Sequence, residues 1–321
     1  MDLKKVLIIK TGYTEILDGI RDSRIASLGD VLRTTALLHR YKESHISWAT
    51  SEESIPLLDK NPHIHKLLDL DWITALQLQK EEFDYVINLE KVPGICALAD
   101  VIRARRSRYG FTLNSQTGEA EALDKGHEVL SVSFNPAYKK DNKKTFQELL
   151  FEMVGETFNG EECILGYQPK TEERYDVGFN TLVGSKWPTK QWAFENWDKL
   201  EKLVGDELLI TRQDEIRDGE RVNKFKNLYS YMDWINSSKL LVTNDSLGLH
   251  LALAMKKKVI GLFGPTSESE MYFYGRGEAL TPAENLECRS CFKSKCDKYP
   301  NSCVDLINPE RVAERIANYL K

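Results

Sequence analysis

Apolar runs of strand length alternate with segments of helical period along almost the whole chain, and this pattern constrains the fold more than any other feature. Continuous apolar strands separated by amphipathic helices are the signature of parallel sheets covered by helices. Val6–Ile9, Ile46–Ala49, Lys66–Leu68, Tyr85–Leu89 and Arg108–Phe111 read as strands, and Val31–Tyr41, Ile55–Asp59, Trp72–Glu81 and Ile95–Ala104 as the helices between them. Together they predict one doubly wound α/β domain over residues 1–165. The polar stretch 166–175, interrupted by Pro169, reads as a linker. A second series occupies 176–307, with strands at Asp176–Asn180, Leu208–Thr211, Leu240–Thr243 and Val259–Phe263 and helices at Phe194–Val204, Arg217–Lys226 and Ser246–Lys256. Asn308 as cap and Pro309 at the first helical position open a closing helix over 308–321, expected to pack back toward the amino-terminal domain.

A length of 321 residues fits roughly two domains of about 150 each. Lysine plus arginine number 44 against 49 aspartate plus glutamate, a net charge of −5, which argues against a nucleic-acid partner held by a dominant basic surface. The apolar segment near Met1 is too short for a signal peptide, and no run approaches the roughly 18 apolar residues of a membrane span. The expectation is a cytoplasmic protein without a transmembrane segment.

Two successive doubly wound domains are expected to leave a cleft lined by loops at the carboxyl ends of both sheets. After the first strand, Lys10-Thr11-Gly12-Tyr13 leads into a polar excursion from Thr14 to Ala26, then Ser27-Leu28-Gly29-Asp30-Val31. Gly29-Asp30 at a helix start places a carboxylate at the cleft mouth, or else Asp30 only caps its own helix. In the second domain Gly184-Ser185-Lys186-Trp187-Pro188-Thr189-Lys190 carries hydroxyls and lysines suited to phosphate, although a lone Lys190 would by default be a solvated surface lysine. Asn244-Asp245-Ser246-Leu247-Gly248-Leu249-His250 joins a strand to a helix whose first amides make an anion site. There Asp245 suits sugar hydroxyls, Ser246 suits phosphate, and Gly248 permits close approach. His250 reads as a buried histidine bonded to backbone, with an acid–base role as the alternative. Gly264-Pro265-Thr266-Ser267 makes a third small-residue turn at the same edge.

Of six cysteines, Cys96 and Cys163 stand apart, while Cys288, Cys291, Cys296 and Cys303 fall in one short stretch, C-x2-C-x4-C-x6-C. That count and spacing suit a tetrathiolate site for zinc or a rubredoxin-like iron, with a disulfide or free thiols as alternatives. Four sulfurs leave no open coordination position, so the metal would be structural.

Taken in order, these segments resemble glycosyltransferase family 9, the lipopolysaccharide heptosyltransferases and their relatives. Lys10-Thr11 with Ser27-Leu28-Gly29-Asp30-Val31 is similar to the family's Lys-Thr-Ser-x-Gly-Asp-Val, split here by the excursion. Lys190-Gln191-Trp192 with Glu195-Asn196-Trp197, Asn244 to Ala252 with its glycine displaced by one, and Leu262-Phe263-Gly264-Pro265-Thr266 resemble three further family elements. The resemblance implies a GT-B architecture and an inverting transfer, with no metal in the chemical step, of a sugar, foremost a heptose from ADP-heptose, to an acceptor hydroxyl. It implies Asp30 as general base, and Ser185, Lys190, Glu215, Asn244, Asp245, Ser246, Gly248 and Thr266 as donor-binding residues. The turn Arg212-Gln213-Asp214 before Glu215 departs from the family's glycine-rich one. Some members carry a similar cysteine knot, including protein heptosyltransferases that bind iron. The acceptor would be a glycan, a lipid-linked sugar or a protein hydroxyl, reached in the cytoplasm or at the inner membrane's surface in lipopolysaccharide biosynthesis. On this resemblance the excursion, with Glu15, Gly19, Arg21 and Arg24, lies next to the base in sequence and would cap the acceptor site. Two rival readings stand beside this one: the same fold with another nucleotide sugar, and a non-catalytic nucleotide-sugar-binding module.

Overall fold

The computed structural model describes residues 3–13, 25–283 and 286–321. Glu15, Gly19, Arg21 and Arg24 lie outside the described residues. The chain divides into two compact units, the boundary falling between Tyr167 and Gln168.

The first unit contains β1 (Lys4–Ile9), α1 (Leu28–Thr34), β2 (Ser44–Thr50), α2 (Ile55–Leu58), β3 (Lys66–Asp69), α3 (Trp72–Leu78), β4 (Glu82–Asn88), α4 (Pro93–Val101), β5 (Arg103–Leu113) and β6 (Ala120–Ala122). Three helices follow, α5 (His127–Phe134), α6 (Pro136–Asp141) and α7 (Phe146–Met153). The sheet runs β3-β2-β1-β4-β5-β6, parallel except where β6 pairs antiparallel with β5. Strand order reverses at β1 and β4, whose carboxyl ends therefore flank the crevice where ligands of such sheets bind. Leu7 and Ile9 pack with Phe83, Val86, Ala99 and Ile102 beneath it.

Two helical expectations need correction in this unit. Val31–Tyr41 is α1 followed by a 3-10 turn, Thr35–Tyr41. The helix expected at Ile95–Ala104 starts at Pro93, a favoured first helical residue, and ends at Val101 because Arg103 already pairs with Glu82 in the sheet.

The second unit contains β7 (Tyr175–Asn180), α8 (Phe194–Val204), β8 (Ile210–Arg212), β9 (Asp214–Arg217), β10 (Glu220–Asn223), α9 (Leu228–Asn236), β11 (Ser238–Asn244), α10 (Leu247–Ala254), β12 (Lys258–Leu262), β13 (Gly277–Leu280) and α11 (Pro309–Leu320). Its sheet, β13-β12-β11-β7-β8, is wholly parallel and reverses between β7 and β11. Val177, Phe179, Trp192, Trp197, Val242 and Ile260 fill its core. The apolar stripe of α11, Val312 and Ile316, is buried in that same core, against α8.

The helix expected at Arg217–Lys226 does not form. Arg217 and Glu220 pair directly across a two-residue turn, Asp218-Gly219, whose φ values of 53° and 83° are those of a type I′ hairpin. The following helix begins instead at Leu228, where the Asn227 side chain accepts from Ser230 N. Among the described residues no helix is long and apolar enough to cross a membrane.

Candidate functional site

The reversal point of the second sheet gathers most of the predicted residues. Lys190 Nζ lies 2.7 Å from Asp245 Oδ2, and the Thr266 hydroxyl donates to the same oxygen at 2.7 Å. Three loops, after β7, β11 and β12, thus converge on one buried carboxylate. Burial penalises its charge, but Lys190, His250 and the Thr266 hydrogen bond outweigh that and hold the Asp245 carboxyl below its usual range. Lys190 also sits 5.4 Å from the centre of the Trp187 ring, so its ammonium is held between an acid and an aromatic face. Ser185 is exposed in the same loop.

Asn244, Ser246 and Gly248 position this cluster through contacts within the unit. The fully buried Asn244 accepts from Trp192 N at 3.1 Å and donates to Thr181 O at 2.9 Å, which brackets the loop bearing Lys190. Asn180 Nδ2 donates to Ser246 Oγ at 2.8 Å and to Thr243 Oγ1 at 2.7 Å, while Tyr231 donates to Asn180 Oδ1. A Cβ at Gly248 would lie 2.5 Å from both Asn180 Nδ2 and the Tyr231 hydroxyl. The close approach this glycine permits is therefore to Asn180 and Tyr231.

Glu215 is not gathered with these residues by any hydrogen bond. It stands on the exposed hairpin and pairs with Arg217. The buried acid there is Asp214, bound by Arg212, Arg221 and the Thr181 hydroxyl; burial alone would raise its pKa, and these partners instead hold it low.

In the first unit the split motif is rejoined in space. Ser27 N donates to Gly12 O at 2.7 Å and Tyr13 bridges Ala26, so the two ends of the excursion meet. Gly12 has φ +79°, and a Cβ there would stand 2.9 Å from Val31 Cγ2. Ser27, and not Asp30, occupies the cap position of α1. The Asp30 carboxylate pairs with Arg33 at 2.5 Å, and that guanidinium lies 4.1 Å from the centre of the Phe146 ring. At the reversal point, buried Glu90 accepts from Thr11 N and Gly12 N at 2.7 and 2.8 Å and lies 3.2 Å from Lys10 Nζ. Sequence reasoning missed Glu90; its signal was an acid directly after a strand facing the lysine after another.

Cys96 and Cys163 are buried free thiols. Cys303 is buried too, and burial first, then the nearby Cys291, Cys288 and Cys296, push its thiol up to about 11. Among the described residues no three His, Cys, Asp or Glu side chains are grouped as a metal site would need. The segment is tied to the loops above it: Thr189 Oγ1 donates to Lys293 O at 2.7 Å, and Phe292 N to Pro265 O at 2.8 Å.

Residues 221–300 match the family described as glycosyltransferase family 9 (heptosyltransferase). Lipooligosaccharide heptosyltransferase 2 of Campylobacter jejuni is 25% identical over 222 residues, 67% of this chain and 69% of that protein. The chain is a glycosyltransferase similar to the heptosyltransferases of family 9. This transferase shares its GT-B-like fold with E. coli heptosyltransferase WaaC, solved with ADP-2-deoxy-2-fluoro heptose, at a TM-score of 0.61 and 16% identity over 98% of this chain and 99% of that one. It also resembles the iron-containing dodecameric glycosyltransferase TibC of enterotoxigenic E. coli H10407, at a TM-score of 0.58 and 13% identity over 99% of this chain and 76% of that one. As a glycosyltransferase it takes a nucleotide-sugar donor and an acceptor.

Proposed function

We propose that the protein is an inverting transferase that moves a heptose from ADP-heptose to an acceptor hydroxyl in lipopolysaccharide-type biosynthesis, in the cytoplasm or at the inner membrane's surface. The observation that carries this reading is the convergence of Lys190 and Thr266 on Asp245 at the reversal point of the second sheet. An ammonium beside a helix amino terminus is what a diphosphate leaving group needs. The WaaC structure bound to an ADP-heptose analogue and the lipooligosaccharide relative support this choice of donor and acceptor class.

In this mechanism Asp30 takes the proton of the acceptor hydroxyl as its oxygen attacks the anomeric carbon. The bond from that carbon to the diphosphate breaks on the opposite face, and its electron pair leaves with ADP. Lys190, Ser185 and the first amides of α10 meet the leaving charge, and Asp245 accepts from donor sugar hydroxyls. The Asp30 carboxylate stands 2.5 Å from Arg33 Nη2.

In this reading Cys288, Cys291, Cys296 and Cys303 would hold a structural iron or zinc, supported by their C-x2-C-x4-C-x6-C spacing and by the iron of TibC. When bound, such an ion cross-links its loop and takes no part in transfer.

The test is Asp30→Asn. Transfer from ADP-heptose should fall by at least about a hundredfold, the scale of general-base catalysis, while ADP binding by calorimetry stays near wild type. Retained turnover would sink the base assignment, and a wild-type protein that binds ADP but transfers nothing would favour a binding module.

A further inference from the structure

Between them, the cysteine segment and the donor loops close a ring of bonds. Lys190 and Thr266 meet at Asp245, each at 2.7 Å. Thr189, next to Lys190, donates to Lys293 O, and Phe292, next to Lys293, donates its N–H to Pro265 O, the residue before Thr266. A third tether runs from Ser290 N to Gly264 O at 3.4 Å. The path Lys190, Asp245, Thr266, Pro265, Phe292, Lys293, Thr189 returns to its start without leaving the second unit.

Two features make the cysteine side of this ring a shaped piece of backbone. Ser290 and Phe292 have φ of 56° and 53°, left-handed conformations that are unfavourable for residues with a side chain and persist only when their surroundings impose them. Both lie beside Cys291, between Cys288 and Cys296. At the other end, a Cβ on Gly264 would stand 2.8 Å from Val304 N, the residue after Cys303, so that end of the segment also rests against the Gly264 turn.

We propose that Thr189 is a positioning residue through which the cysteine segment fixes Lys190 and Thr266 around Asp245, so that the integrity of a segment outside the reaction sets donor affinity. The hydroxyl of Thr189 touches neither donor nor acceptor in this assignment; it anchors the loop carrying the phosphate-binding ammonium. The inference rests on the reading of Lys190 as a donor-phosphate ligand.

One neutral hydrogen bond contributes about 1 kcal/mol, roughly fivefold in an equilibrium constant. In the full-length protein, Thr189→Val should therefore raise the ADP Kd and the donor KM about three- to tenfold while kcat at saturating donor changes less than about twofold. Thr189→Ser, which restores the hydroxyl, should return both toward wild type. Lys190→Ala is the control for the underlying reading: if it leaves ADP affinity unchanged, the donor site is misassigned. If Lys190→Ala weakens ADP but Thr189→Val binds like wild type, the ring has no positioning role and the proposal is overturned. Should Thr189→Val not fold, hydrogen exchange in Cys291→Ser decides. The amides of Lys190 and Gln191, bonded to Trp187 O and Pro188 O, should exchange faster, and unchanged exchange there overturns the proposal.

Discussion

Glu90 is 1% exposed and gathers two backbone amides and an ammonium, so a single carboxylate organises the turn after β1. Glutamine in its place keeps the shape and an oxygen at Oε1, where all three donors meet, but removes the negative charge that faces Lys10, itself 7% exposed. Breaking one partner of a buried pair costs on the order of 3 kcal/mol. Glu90→Gln should therefore lower stability to denaturant by about that amount and reduce transfer, with ADP affinity, which the proposed donor site assigns to the other unit, unchanged. Wild-type stability in that variant would show that Lys10 finds another counter-charge. At this scale the sequence disclosed where residues stand: a carboxylate at a helix start, a lysine in a loop after a strand, an Asn-Asp-Ser at a strand end. Glu90 and Asn180 stayed hidden because their partners lie far along the chain and only the strand order brings them together.

Helix α10 shows how an element can be legible and its glycine misread. The sequence placed the strand-to-helix junction at Ser246, and the helix runs Leu247–Ala254. Close approach at Gly248 pointed to a ligand, whereas the space is occupied by Asn180 and the Tyr231 hydroxyl. Both neighbours are buried and hydrogen-bonded to each other, so neither can swing aside. Gly248→Ala should accordingly cost about 1–3 kcal/mol by overpacking. It should also weaken ADP binding through Ser246, which Asn180 holds; an alanine variant as stable as wild type would mean that the turn relaxes. The hairpin β9–β10 was missed for the opposite reason. Its charged residues permit helical spacing, and only Asp218-Gly219, a turn signal two residues long, distinguishes the hairpin from a helix.

At the scale of the molecule, alternation of strand and helix was enough to give two doubly wound units, because buried parallel strands must be continuously apolar whatever their order. The order itself, with reversals at β1/β4 and β7/β11, is not written in any local pattern, and it decides which loops meet. Each unit owns a separate core, Leu7 to Ile102 in one and Val177 to Ile316 in the other, so heating should produce two transitions. The donor cluster and the four cysteines belong to the second. A ligand that binds only the folded form stabilises it by about 2.7 kcal/mol at a hundredfold excess over Kd, and a structural metal acts in the same direction. Calorimetric scans should show ADP raising one transition and chelation of a bound iron or zinc lowering the same one, while the other stays fixed. Should ADP and chelation move different transitions, the donor cluster and the cysteine segment would not share a folding unit, and the bonds from Thr189 and Phe292 would carry no coupling between them.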